Sequence, residues 1–173
     1  MVRGARAGVR EIKVHMRKTE EAFRWIVAIL SEKRIPFQIM GGFAANAYGS
    51  TRRLADIDIN VSDRALRRLL PSVKPYVVYG PRRYRDPHWD LPLMTLRHRG
   101  QLIDLCGIDS QKIFDHREKH WIPMSSVFPS SRRMRIFGVT VPVMTRSALI
   151  AYKTRLSRGV DRKDVEALRR HHA

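Results

Sequence analysis

The sequence predicts an α/β (α+β) fold: a short mixed sheet with helices on one face and further helices at the C-terminal end. Three observations predict it. Residues 56–61, Asp-Ile-Asp-Ile-Asn-Val, alternate strictly between polar and apolar, the period of a half-buried strand. Phe23, Ile26, Val27 and Leu30 recur at i, i+3, i+4 and i+7, the apolar stripe of an amphipathic helix. Two pairs of apolar runs turn at Gly100 and at Gly138, as hairpins do.

Taken in chain order, residues 1–18 are a basic arm. Arg3, Arg6, Arg10, Lys13, Arg17 and Lys18 face Glu11 alone, and the stretch lacks the apolar centre of a secretory signal. An arm lying on phosphates, a frayed terminus and a mitochondrial presequence share this composition. Residues 19–173 read as one domain, with 145–173 as its C-terminal helical part. Thr19 is placed to cap the first helix, with Glu20 and Glu21 in its first turn. Pro36 ends it. Phe37–Met40 is a short strand entering the tight turn Gly41-Gly42, followed by a short helix over 43–48 that Gly49 stops.

After the alternating strand, Ser62 or Asp63 caps a helix carrying Leu66, Leu69 and Leu70 that ends near Pro71. Residues 71–92 hold five of the nine prolines and read as an irregular basic region with a short strand at Tyr76–Tyr79. Leu93–His98 and Gln101–Ile108 form a hairpin about Arg99-Gly100. Residues 109–130 are mixed. Met134–Phe137 and Val139–Val143 form a second hairpin. Thr145 or Ser147 starts a helix that Gly159 stops, and Asp161 caps a last helix carrying Val165 and Leu168.

Composition narrows the function. The 173 residues suit one domain. No apolar run is long enough for a membrane span, so no membrane partner is expected. The single cysteine, Cys106, excludes a disulfide framework and a multi-cysteine zinc cluster, and points to a reducing, cytoplasmic setting. Lys plus Arg is 34 against 16 Asp plus Glu, a net charge of +18, and 26 of the cations are arginines. That excess attracts nucleic acid through counterion release and repels cationic ligands.

The chemistry concentrates in residues 40–61. Gly41 and Gly42 let backbone N–H groups approach an anion, and the helix that begins there points its positive end at the same place. Asp56 and Asp58 lie about 6–7 Å apart on one face of a strand. Two carboxylates so placed repel unless a cation sits between them, and Mg²⁺ prefers carboxylate and phosphate oxygens. Asp104, mid-strand in Leu102-Ile103-Asp104-Leu105-Cys106, is a charge in apolar company whose cost a metal would relieve. It is the candidate third ligand and proton acceptor.

Gly-Gly, Asp-x-Asp on a strand and a lone Asp on a later strand resemble the polymerase β-like nucleotidyltransferase superfamily over roughly residues 23–108. The tail from Leu149 through Lys153 to Asp164 and Leu168 is similar to the closing helices of its small members, which include antibiotic nucleotidyltransferases and toxins of toxin–antitoxin pairs. The resemblance implies a nucleotidyltransferase fold and transfer of a nucleoside monophosphate from an NTP to an acceptor hydroxyl. It further implies two Mg²⁺ ions (Mn²⁺ as substitute) on Asp56, Asp58 and Asp104, and a triphosphate on Gly41 and Gly42. Lys153 would meet phosphate, and Asp164 would support the pocket. Many members have Gly-Ser where this chain has Gly41-Gly42; Ser50, Thr51, Arg52 or Arg53 are candidates for the contact the serine hydroxyl makes there.

Because the charge disfavours cationic drugs, RNA of tRNA type is the expected acceptor, with an antitoxin as a candidate partner. Nucleotidylation of a protein hydroxyl and a non-catalytic nucleic-acid-binding module are the alternatives. Arg82, Arg83 and Arg85, among Tyr76, Tyr79, Tyr84 and Trp89, are the candidate nucleic-acid contacts. Other signals are weak. His116 and His120 stand at zinc-ligand spacing but without the accompanying glutamate. Cys106 reads as a core residue. Asn60-Val61-Ser62 matches a glycosylation acceptor but lies on a strand.

Overall fold

The computed structural model describes residues 3–124 and 130–170, with side chains from Met16 onward. Met1 and Val2 of the expected arm, the stretch 125–129 and residues 171–173 lie outside the described residues. Helix α1 (Arg3–Glu32) buries the expected stripe, with Phe23, Ile26 and Leu30 fully covered. It begins well before Thr19. That residue is no cap: it is buried mid-helix, and its hydroxyl donates to Gln101 Oε1 (2.8 Å). Glu20 and Glu21 pair along the helix with Arg24 and Arg17. The helix closes where Ile35 N–H reaches Leu30 O and Arg34 takes a positive φ.

The chain continues as β1 (Phe37–Ile39), α2 (Gly41–Ala47), β2 (Asp56–Val61) and α3 (Asp63–Val73). Ser62 holds the N-cap position of α3 but makes no side-chain bond there; the Asp109 carboxylate accepts from Asp63 N–H instead (2.7 Å). Pro71 does not end α3, which runs on to the fully buried Val73. The stretch expected to be irregular is β3 (Val77–Arg85), paired along its length with β4 (Trp89–His98). The proline signal is absorbed by two register shifts between Val77 and Arg82, around Gly80-Pro81. An edge strand tolerates this because a proline there leaves no ladder bond unmade.

β5 (Gln101–Gly107) returns from β4 through Arg99 and Gly100, both at positive φ, the geometry of a two-residue hairpin turn. The mixed stretch supplies β6 (Lys112–Asp115) and β7 (His120–Pro123). β8 (Ser131–Ile136) and β9 (Val139–Met144) form the second hairpin, again with two positive-φ residues, Phe137 and Gly138. In α4 (Arg146–Leu156) the N-cap is Thr145, whose hydroxyl oxygen accepts from Ala148 N–H. Ser157 takes the left-handed conformation that ends α4. Gly159, expected as a stop, is instead the first residue of α5 (Gly159–Arg170).

Among the described residues the strands form one nine-stranded sheet in the order β7-β6-β4-β5-β2-β1-β9-β8, with β3 on the other edge of β4. β2 with β5 and β1 with β9 are parallel; the other pairs are antiparallel, so the sheet is mixed as expected. Ile57, Ile59, Ile103, Leu105, Met94 and Leu96 share one apolar cluster with Phe23, Ile26 and Leu30 of α1 and with Leu66 and Leu69 of α3. Strand alternation sends Asp56, Asp58 and Asp104 to the opposite face. No described helix is long and apolar enough to cross a membrane.

Candidate active site

The parallel pairing of β2 with β5 puts Asp58 level with Asp104, and Asp56 two positions before Asp58 on the same face. One carboxylate oxygen from each lies within 4.8 Å of the others. The glycine turn sits against this cluster. Gly42 N–H donates to Asp58 Oδ2 (3.2 Å), and Thr95 of β4 donates its hydroxyl to Asp104 Oδ1 (2.7 Å). Burial, with the Asp56 and Asp104 charges behind it, pushes the Asp58 carboxyl up to about 8. Burial raises Asp56 and Asp104 too. Three converging carboxylates that resist ionisation together are what a divalent cation relieves, and an all-oxygen donor set suits Mg²⁺ or Mn²⁺.

Gly41 is required sterically. Its φ is +64°, and a Cβ there would lie 1.9 Å from Asp58 Oδ2. Gly41→Ala is therefore expected to cost at least about 1–2 kcal/mol from the left-handed backbone alone. It should also displace Asp58, weakening Mn²⁺ binding in isothermal titration; unchanged Mn²⁺ affinity would show that the turn does not set the carboxylate.

The carboxylates floor a cavity of about 620 Å³ whose walls include Gly41, Gly42, Arg52, Arg97, Tyr152, Lys153 and Arg158. Arg52 reaches the turn, its Nη2 occupying the place a Gly42 side chain would need. Behind it runs a chain of alternating charges. The fully buried Asp164 accepts from Ser50 Oγ (2.9 Å), Arg52 Nε (3.2 Å) and Lys153 Nζ (2.8 Å). Lys153, 1% exposed, also bonds Asp161 Oδ1 (3.2 Å), which with its second oxygen grips the Arg158 guanidinium. Arg158 lies over the Trp89 ring (4.3 Å), and Trp89 donates its indole N–H to Tyr152 Oη (2.9 Å).

The expected residues divide accordingly. Gly41, Gly42, Asp56, Asp58, Asp104, Arg52 and Lys153 line the cavity, with Asp164 directly behind them. Ser50 is buried and committed to Asp164. Arg53 is exposed outside the wall, its carbonyl accepting from Arg52 Nη1. Arg82, Arg83 and Arg85 share no single face. Arg83 is held by Asp90 and Ser110, Arg85 lies over Trp121, and Arg82 over Tyr79. Of the aromatics, Tyr79, Tyr84 and Trp89 line the cavity, whereas Tyr76 packs on Trp25 and His98.

His116 bonds His88 (2.8 Å), and the one group of potential metal ligands among the described residues is the aspartate cluster. Burial raises the Cys106 thiol well above its usual range. Sequence reasoning missed Arg158, Tyr152, Thr95 and the anchoring role of Asp161. Only the three-residue spacing of Arg158 and Asp161 hinted at a pair, and it reads equally as a helix cap.

The chain has the nucleotidyltransferase fold, the class implied by the motif resemblance. The sequence matches no protein-family model and no curated protein. Among solved structures it is similar to a Thermotoga maritima protein provisionally assigned as a nucleotidyltransferase. That likeness has a TM-score of 0.65 at 18% identity, over 87% of this chain and 89% of that one. It is also similar to the lincosamide antibiotic adenylyltransferase LnuA with lincomycin bound (TM-score 0.57, 13% identity, 86% and 95% of the two chains). The third is the antibiotic-resistance factor ANT(2'')-Ia (TM-score 0.58, 19% identity, 90% and 83%), which has also been solved in complex with adenylyl-2''-tobramycin.

Proposed function

We propose that the protein is a metal-dependent nucleotidyltransferase that moves a nucleoside monophosphate from an NTP to an acceptor hydroxyl and releases pyrophosphate. The observation that supports this above all is the convergence of Asp56, Asp58 and Asp104 beside the Gly41-Gly42 turn. These three carboxylates would hold two Mg²⁺ ions, or Mn²⁺ in their place. When bound, the metal lowers the pKa of the attacking hydroxyl and offsets the charge of the triphosphate.

The rest falls to the chain's own groups. The acceptor oxygen bonds to the α-phosphorus, the bond to the pyrophosphate oxygen breaks, and the acceptor proton passes to Asp104, whose basicity burial raises. Gly41 and Gly42 admit the phosphates to the helix N-terminus. Arg52 and Lys153 bind the leaving phosphates, Arg53 attracts them from outside, and Asp164 with Ser50 keeps the two inner cations in place.

The acceptor in this reading is RNA, of tRNA type, as for a toxin that an antitoxin would restrain. Charge supports it: a protein of net +18 draws in a polyanion and repels the cationic drugs that related folds handle. In this reading Arg82 and Arg85, which lie over Tyr79 and Trp121, would contact RNA from different faces of β3, while Arg83 is occupied by Asp90. Incubation with α-labelled NTPs, Mg²⁺ and total RNA tests both parts, with lincosamide and aminoglycoside antibiotics in parallel. Mg²⁺-dependent label on RNA with matching pyrophosphate is expected. Label on the antibiotics alone would overturn the RNA assignment, and label on nothing would overturn the enzymatic one.

A further inference from the structure

Beside the catalytic cavity lies a second one, of about 690 Å³, between the end of α4, the outer side of α5 and the β6–β7 turn. Arg117, Arg162, Arg169 and Arg170 line it, with Glu166 as its acid. Helical periodicity explains the composition. Asp161, Asp164, Val165 and Leu168 form the buried face of α5, so Arg162, Glu166, Arg169 and Arg170, at i, i+4, i+7 and i+8, form the adjoining face. Arg117 is brought in by a rigid turn. Buried Asp115 accepts from the N–H groups of Arg117 and Glu118 and pairs with Arg155, while His116 N–H bonds Arg155 O.

Little offsets this charge. Glu166 reaches Arg170 at 3.9 Å with both side chains 69% exposed, and Arg162 donates to the Ser157 carbonyl rather than to an acid. Arginines gathered around one hollow raise the local positive potential and draw an anion there. Thr154 and Ser157 add polar groups to the same wall. Lys153 borders both cavities, so this hollow adjoins the one that the carboxylates floor.

We propose that this arginine-lined hollow binds the phosphodiester backbone of the acceptor RNA, next to the site where its hydroxyl reacts. The proposal rests on the RNA reading above and gives it a location. Backbone contacts of this kind position a strand without reading its sequence. The RNA that binds here is therefore recognised through its phosphates, and the reactive end is presented across Lys153.

The test is fluorescence anisotropy with a labelled tRNA-sized RNA over a range of salt. It compares the full chain with Arg117→Glu/Arg169→Glu and with a control of equal charge change, Arg133→Glu/Arg135→Glu. The control lies on β8, at the other end of the sheet from the β6–β7 turn. The hollow variant should bind RNA at least about 10-fold more weakly, with a log–log salt slope shallower by about 0.7 for each phosphate no longer neutralised. Its binding of Mn²⁺ with a non-hydrolysable NTP, by equilibrium dialysis, should match the parent, which also shows that it is folded.

Equal weakening by the β8 control, or no weakening in the hollow variant, would overturn the proposal. So would competition by polyglutamate as effective as by RNA, which would mark an acidic-protein site. Transfer to RNA that survives in the hollow variant with unchanged KM for RNA would sink this location while leaving the enzymatic reading standing. Hollow-dependent RNA binding without any transfer would do the reverse.

Discussion

Asp58→Asn should abolish nucleotidyl transfer and, in the metal-free protein, raise stability at neutral pH. The two effects share one cause. Asp58 sits against Gly42 N–H with Asp56 and Asp104 beside it, and burial together with those charges pushes its carboxyl up to about 8. In the unfolded chain it returns to about 3.8. Between those values the folded protein holds a proton that the unfolded chain has released. Its contribution is therefore complete below pH 4 and is lost as pH rises towards 8, by up to about 1.4 kcal/mol per pH unit for one group.

Asparagine keeps the shape and an oxygen for Gly42 but cannot ionise. Urea unfolding of both proteins across pH 4–8, with chelator present, isolates this residue. The difference between them should grow steadily with pH in favour of the variant, and Mn²⁺ should stabilise only the parent. Transfer should fall by more than about 100-fold, the upper loss for groups that merely orient a ligand, since Asp58 would be a ligand itself. A difference in stability independent of pH would refute the buried-cluster account.

Asp164→Ala should be the most destabilising single change at the site. The carboxylate is fully buried and serves Ser50, Arg52 and Lys153 together. Without it Lys153, 1% exposed, keeps only Asp161 as a partner. Removing one side of a buried pair costs about 3–5 kcal/mol, because the other charge stays behind uncompensated. For a chain of this size that is a fall of about 10 °C in Tm. If the network also aligns Arg52 and Lys153 on phosphate, Asp164→Asn, which keeps an acceptor for Ser50 but no charge for Lys153, should recover only part of the stability while KM for NTP stays raised. Recovery of both together would reduce Asp164 to a purely structural residue.

The site was legible in the sequence to an uneven degree. Asp56 and Asp58 could be placed on one face because strand alternation is a local property, and β2 has the expected boundaries. Gly41 was recognisable because only glycine takes that turn without strain, and the structure adds the steric contact with Asp58. Local signals misled where tertiary contacts outweighed them. Thr19 looked like a helix start but bonds Gln101 from inside α1. The prolines of 71–92 suggest irregularity, yet pairing with β4 makes a nine-residue strand and gathers its register shifts around Pro81. Gly159 looked like a stop, but Ser157 takes that role.

By itself the sequence determined the strand carrying two carboxylates, the glycine turn before it, the charge of +18 and the order of most elements. These follow from periodicity and composition, which neighbours along the chain decide. Only the tertiary structure decided that Asp104 stands level with Asp58, that Asp161 and Asp164 tie Lys153, Arg52 and Arg158 into one wall, and that Arg117 joins the arginines of α5. Each of those depends on strand register or helix docking between segments far apart in sequence. Such arrangements are set by burial and packing summed over the whole core, which no local stretch of residues encodes.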